Sequence, residues 1–168
     1  MPYRTDDNLQ EAFGGESKAN RRYLFFADKA EKEGYAPIAR LFRAVAEAET
    51  VHARNHFGVM DAVGSTRDNL VAASIGEHQE FTAMYPIFIE DATEERNQRA
   101  QRTFQWANAV EKVHHALFEA ALAGLKEGKT PEAKTYHVCQ VCGYTVEGDA
   151  PDKCPVCGSA SKSFKKVE

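Results

Sequence analysis

Four long segments before residue 128 repeat apolar positions at steps of three and four, the spacing of a single helical face. The first runs through Leu9, Phe13, Glu16, Asn20, Tyr23, Ala27 and Ala30, and Gly34 follows as a stop. The second opens near Pro37, a favourable first-turn residue, and continues through Ile38, Phe42, Val45, Glu49, His52, His56, Val59 and Val63 to Gly64. The third, after the turn-like STRDN, carries Leu70, Ala73, Glu77, Glu80, Met84 and Ile87, with Pro86 expected to kink it. The fourth extends from about Glu95 to Leu125 through Phe104, Ala107, Glu111, His114, Phe118 and Ala121, and Gly128 ends it. Nothing alternates with period two before residue 135, and the joins are mostly short. The pattern predicts an all-α four-helix bundle. EGKTPEAKT then reads as a linker, and the stretch after it is too short and too polar to fold on a hydrophobic core alone. The expected division is a helical domain over 1–130 and a small module over 131–168.

The stripes contain five residues that do not belong in a core: Glu16, Glu49, Glu77, Glu80 and Glu111. Each stands where the pattern calls for leucine. An ionised carboxylate taken out of water must be paired, protonated or bound to metal. One such glutamate is ordinary, as a boundary residue or the partner of an arginine; five, with at least one on each segment, ask for a common cause. Glu49-Thr-Val-His52 and Glu111-Lys-Val-His114 are both Glu-x-x-His, which sets a carboxylate and an imidazole on one helical face. Two such motifs plus single glutamates from the other two helices are the ligand set of di-metal carboxylate bundles of the ferritin type. Five carboxylates against two divalent ions leave a nearly neutral cluster, and oxygen and imidazole donors suit iron or manganese. The third segment offers both Glu77 and Glu80 where one is needed, so one is either solvated or a surplus ligand.

The EKVHH stretch of 111–115 raises a choice between two histidines. His114 and His115 lie about 60° to one side and 40° to the other of Glu111 around the helix, so periodicity leaves both possible. The matching Glu49-x-x-His52 favours His114, with His115 as a neighbour that packs or hydrogen-bonds nearby. His56 continues its stripe one turn past His52 and reads as a polar residue near the bundle end. His78 is about 100° around the helix from Glu77 and reads as outward-facing.

All four cysteines lie between 139 and 157. Cys139-x-x-Cys142 and Cys154-x-x-Cys157 form two like knuckles, with Gly143 and Gly158 directly after each second cysteine. Four thiolates in a tetrahedron bind zinc or iron, and a structural zinc ribbon is the simpler reading of such a module taken alone. His137 stands outside that complete tetrahedron. A net charge of −4 gives no reason to expect nucleic acid or an anionic membrane as partner. MPYRTDDNLQ has no apolar leader core, and no apolar run is long enough to cross a bilayer, so a cytoplasmic location is expected.

Taken together, the chain resembles the rubrerythrin family: a ferritin-like di-iron bundle followed by a rubredoxin-like module with one iron on four cysteines. The stretches GESKANRRY, AETVH, GEHQEFTAMYP and AVEKVH carry the resemblance, which spans essentially the whole chain. It implies that Glu16, Glu49, His52, Glu77, Glu80, Glu111 and His114 bind two irons. Glu49 and Glu111 would bridge them, and His114 and Glu77 would hold one. Glu16 would hold the other, which exchanges His52 for Glu80 on oxidation. Tyr23 and Tyr85 match tyrosines beside the site. The resemblance also makes iron, rather than zinc, the metal of Cys139, Cys142, Cys154 and Cys157, with zinc as a possible substitute. It further implies a homodimer or higher homo-oligomer, arranged head to tail so that the four-cysteine iron of one subunit lies near the di-iron site of another.

The activity implied is reduction of hydrogen peroxide to water, with electrons from a reduced nicotinamide arriving through a separate reductase or rubredoxin. No dinucleotide-binding fingerprint is present in the chain itself. Two other readings compete: a ferroxidase or iron-binding protein of the ferritin kind, and an interaction protein with a zinc ribbon on a structural bundle. An electron-transfer module has no use in iron storage, and glutamates on all four core faces have no use in a structural bundle.

Overall fold

The computed structural model of the chain describes residues 4–126 and 133–167. Most of the expected linker, and Gly128, lie outside them. The chain divides into two compact units, Met1–Gly64 and Ser65–Glu168.

The first unit is a hairpin of α1 (Arg4–Lys32) and α2 (Ala36–Val59). Asp6 and Asp7 in the first turn of α1, and Lys29 and Lys32 in its last, oppose the helix dipole favourably. Gly34, at φ +84°, closes α1: the amide of Tyr35 reaches back to the carbonyl of Ala30 at 2.8 Å. Pro37 sits in the first turn of α2, as its fixed φ favours. The helices meet through small residues, since the buried positions are Ala27, Ala30, Ala39 and Ala46. The amide of Asn20 crosses the seam, donating to the Ala46 carbonyl at 2.7 Å and the Thr50 hydroxyl at 2.9 Å. Two helices have only one mutual interface. Large apolar side chains of this unit therefore stay open, including Phe25, Leu41 and Val59, each more than 60% exposed.

The second unit holds α3 (Thr66–Gln79), α4 (Tyr85–Glu94) and α5 (Gln98–Lys126), then strands β1 (Tyr136–Cys139), β2 (Thr145–Glu147) and β3 (Phe164–Val167). STRDN is a helix start as well as a turn. Ser65 and Asp68 form a capping box, so α3 begins at Thr66. The expected kink before Pro86 takes the form of a π-helical turn over Glu80–Met84. Pro86 has no N–H to offer and its ring crowds the carbonyl four residues back; widening the preceding turn relieves both. The strands make one antiparallel sheet in the order β2-β1-β3, with Val138 opposite Thr145 on one side and Lys165 on the other. Cys139, at the end of β1, and Cys154, in the loop between β2 and β3, are the buried side chains here, so the knuckles take the place of a hydrophobic core. Among the described residues, no helix is long and apolar enough to cross a membrane.

Candidate metal centres

In the hairpin, Glu16, Glu49 and His52 each offer a donor atom within 4.8 Å of the others. The Nδ1 of His52 lies 2.9 Å from Glu49 and 3.9 Å from Glu16. Glu77, Glu111 and His114 make the corresponding group in the second unit, on α3 and α5. There the Nδ1 of His114 lies 2.6 Å from Glu111 and 3.7 Å from Glu77. The two triplets repeat one design: a histidine against the glutamate three residues before it, and a glutamate from the neighbouring helix slightly farther away. Metal–oxygen and metal–nitrogen bonds of about 2.0–2.2 Å can draw such donors onto one ion. The carboxylate-rich, thiolate-free donors fit iron or manganese. His52 is about half exposed, in keeping with the open face of a two-helix unit, whereas Glu111 retains only 14% side-chain exposure.

The charge state of the second triplet follows from its crowding. Burial pushes the Glu77 carboxyl up to about 7, and the hydrogen-bonded, charged Glu111 beside it adds to the rise. For Glu111 burial works in the same direction, but hydrogen bonds from His114 and Glu77 outweigh it and its pKa falls. The hydrogen bond to Glu111 raises His114 against the opposing effect of burial. Without metal, Glu77 thus holds its proton up to about pH 7, and Glu111 favours the protonated form of His114 beside it. A divalent ion would take the place of both protons.

Glu80 opens the π-helical turn and falls outside the tight triplet. Burial raises its pKa, and the charge of Glu111 raises it further, so it looks onto the same cluster from beside it. Tyr85 closes that turn, and its phenol is raised by burial and then by Glu80, Glu111 and Glu77. In the other unit Tyr23 packs in an aromatic group with Phe26 and Phe42. His115 turns to α3. Its Nδ1–H donates to the Ser74 carbonyl at 3.0 Å, while the buried Ser74 hydroxyl donates to Glu119. The ring of His78 rests against those of His115 and Phe81. Neither Ser74 nor Glu119 is marked by periodicity, because the clamp joins residues about forty positions apart. His56 joins neither triplet among the described residues. His137 donates to the Gly148 carbonyl at 2.6 Å, away from the thiols.

The four cysteine sulfurs also lie within 4.8 Å of one another, with Cys139–Cys157 at 3.7 Å and Cys142–Cys154 at 3.5 Å. Metal–sulfur bonds of about 2.3 Å give a tetrahedron with edges of roughly 3.8 Å, so the cage has the size of one ion. Gly143 (φ +85°) and Gly158 (φ +76°) supply the left-handed turns after the knuckles, and their amides return to the Cys139 and Cys154 carbonyls at 2.9 Å. Burial alone would raise the Cys157 thiol. The hydroxyl and amide of Ser159 and the neighbouring thiols bring it down to about 6, which favours the thiolate a metal needs.

The module meets the helices of its own unit at His114. The Nε2 of His114 lies 3.1 Å from the Thr145 hydroxyl on β2, and that hydroxyl donates to the Gly143 carbonyl at 3.1 Å. Beside this contact, Glu77, His114, Tyr136 and Thr145 share a cavity of about 520 Å³ with the apolar Leu70, Leu117 and Phe118.

Residues 7–122 match the rubrerythrin family model, and residues 137–165 match the model of the rubredoxin-like domain of rubrerythrin. The chain is 38% identical to Rubrerythrin-2 of Clostridium acetobutylicum, covering 96% of this chain and 95% of the relative. It is 34% identical to the rubrerythrin of Nitratidesulfovibrio vulgaris, over 96% of this chain and 93% of the relative. Among solved structures, nigerythrin in its fully reduced, all-ferrous state is similar over 97% of this chain and 86% of its own, with a TM-score of 0.59 and 33% identity. That likeness places the fold in the ferritin-like class with a rubredoxin-like module. Helical and cysteine-bearing parts thus match in the same order over nearly the whole length, and the chain belongs to the rubrerythrin family of oxidoreductases, whose cofactors are a di-iron centre and an iron held by four cysteines.

Proposed function

We propose that this protein is a non-haem di-iron peroxidase, reducing hydrogen peroxide to two waters with two electrons and two protons. The observation that carries the reading is the pair of like Glu/Glu/His triplets in one chain with a four-sulfur cage. Storing or oxidising iron needs only the triplets; returning electrons needs the cage.

In this reading Glu16, Glu49, His52, Glu77, Glu80, Glu111 and His114 would hold the two irons. Two ferrous ions, when bound, supply the two electrons that peroxide requires. Glu80 would serve as the exchanging ligand, and its place at the start of a π-helical turn supports this role, since such turns interrupt the regular ladder at functional sites. The carboxyl group of Glu77, raised to about 7, is suited to give up and take back protons near neutrality, and burial raises that of Glu80 in the same direction. Tyr85, whose phenol is raised by burial and by these carboxylates, would donate a hydrogen bond beside the site, and Tyr23 would take the matching role on the other helix pair. Cys139, Cys142, Cys154 and Cys157 hold the iron that passes single electrons inward. The donor would be a reduced nicotinamide acting through a separate reductase or a rubredoxin, in the cytoplasm, and the working form a homo-oligomer.

Stopped-flow mixing of fully reduced, anaerobic protein with hydrogen peroxide or with oxygen tests the reading. Peroxide is expected to oxidise the protein much faster than oxygen does. The reverse order would favour the ferroxidase reading, and a colourless protein with zinc on the cysteines would remove the electron-transfer role.

A further inference from the structure

Thr145 has no place in either cluster of metal donors, yet it is the side chain that joins them. It is the first residue of β2, two positions after Gly143 and three after Cys142, where the sheet meets α5. Its hydroxyl has two partners, the Nε2 of His114 at 3.1 Å and the Gly143 carbonyl at 3.1 Å. A carbonyl only accepts, so the Thr145 O–H points at Gly143, and its oxygen is left to accept the Nε2–H of His114. That assignment fixes the imidazole. With Nε2 protonated, Nδ1 is the atom left for a metal: without one it donates its N–H to Glu111 at 2.6 Å, with Glu77 at 3.7 Å, and loss of that proton frees its lone pair. A histidine ligand is commonly oriented through the hydrogen bond of its other nitrogen, and here the Thr145 hydroxyl makes that bond beside a backbone contact with Gly143. The contact is held from both sides. A Cβ placed on Gly143 would lie 3.8 Å from Val110 of α5, which is fully buried one turn before His114.

We propose that Thr145 is a positioning residue: it sets the tautomer and ring orientation of His114, and completes a hydrogen-bonded route from the Cys142–Gly143 knuckle to that histidine within one chain. The head-to-tail arrangement implied by the family places such transfer between subunits; the contact here lies in a single unit. The proposal rests on the peroxidase reading only for the direction of electron flow. With iron bound, the four-cysteine site would supply one electron per transfer, its iron passing from ferrous to ferric as one ferric ion held by the glutamate and histidine donors is reduced. Two such transfers restore the pair.

Two variants separate the hydroxyl from the shape. Thr145→Val keeps the β-branched volume and removes the O–H, and Thr145→Ser restores it. In zinc-loaded, 15N-histidine-labelled protein, the His114 Nε2–H is expected to be protected from solvent exchange in the parent and Thr145→Ser, and to exchange rapidly in Thr145→Val. In reduced, iron-loaded protein mixed with peroxide, the later appearance of the ferric-thiolate band is expected to slow by about 10- to 100-fold in Thr145→Val alone, the usual cost of removing a partner of a metal ligand. The earlier oxidation of the di-iron site should keep its rate within a few-fold. Unchanged Nε2–H protection, or an unchanged later phase, in Thr145→Val overturns the proposal. If peroxide fails to oxidise even the parent, the peroxidase reading falls, and the exchange measurement still decides on Thr145.

Discussion

Replacing Cys154 with serine should dissolve the C-terminal module while leaving the helices standing. The described part of that module, 133–167, is a sheet whose strands are three or four residues long, and its buried side chains are Cys139 and Cys154. Domains below about 40 residues rarely fold without a metal, disulfides or a partner. The sulfurs here are reduced, with Cys154 3.5 Å from Cys142 and no disulfide among them. A structural metal on such a cage contributes on the order of 10 kcal/mol or more, beyond anything seven ladder pairs and a Tyr144–Phe164 ring contact can supply. Serine removes one thiolate from one of the two buried corners. Hydrogen–deuterium exchange read by mass spectrometry is the direct assay, with metal analysis in parallel. Peptides over 136–167 should lose protection and the four-cysteine iron should be absent. Peptides over 66–79 and 98–126 should keep theirs, apart from residues around Val110 and His114 where Gly143 and Thr145 make contact. Full protection of the Cys139 and Gly143 amides in a metal-free variant would refute the reasoning, because the sheet would then be stable without its metal.

Glu111→Ala is expected to empty the helical metal site while leaving the four-cysteine iron in place, as iron analysis with the ferric-thiolate spectrum would show; retention of all the iron would remove Glu111 from the ligands. Glu80→Ala should retain iron but slow peroxide turnover, and complete loss of one iron in that variant would argue against an exchanging ligand. Asn20→Ala deletes both cross-seam hydrogen bonds of the hairpin and should destabilise it by about 1–3 kcal/mol, measured by chemical unfolding at constant metal content. Metal loading at pH 6 should expel protons, since Glu77 titrates at about 7 and His114 above its ordinary value in the metal-free site. Calorimetry in buffers of different ionisation enthalpy reads that release, and iron affinity should fall as the pH drops below 7.

The helices and their donors were legible because both are local. A stripe at three- and four-residue steps needs only one helix to be seen, and a glutamate within it stands out against the apolar positions around it. Glu49-x-x-His52 and Glu111-x-x-His114 are legible for the same reason, and the distances in the two units, 2.9 and 2.6 Å, show one local geometry used twice. Pro86 announced a break in the third helix, yet its form was hidden. Where a ladder slips from four- to five-residue bonds depends on which carbonyl the ring crowds, and no periodicity records that. The choice between His114 and His115 marks the limit from the other side. Spacing leaves them equivalent, and what separates them is Ser74 on α3, a partner about forty residues away.

Gly143 carries that limit furthest. As a residue after a C-x-x-C knuckle it reads as a tight turn, and its φ of +85° is that turn. The fold makes a second demand on the same backbone, which rests against the helix that carries Glu111 and His114, where an added Cβ would meet Val110 at an ordinary contact distance of 3.8 Å. The turn that folds the knuckle around a metal and the close approach that seats the knuckle on α5 are therefore one backbone conformation. Alanine at Gly143 should strain the turn by about 1–2 kcal/mol, as it would at Gly158, where nothing lies within 4 Å of the added atom. Only at Gly143 does the distorted backbone also hold the carbonyl that anchors Thr145. A slower later phase after peroxide in Gly143→Ala but not in Gly158→Ala would separate the two demands. Equal effects would mean that the knuckle serves its metal alone and that its seat on α5 has no part in electron transfer.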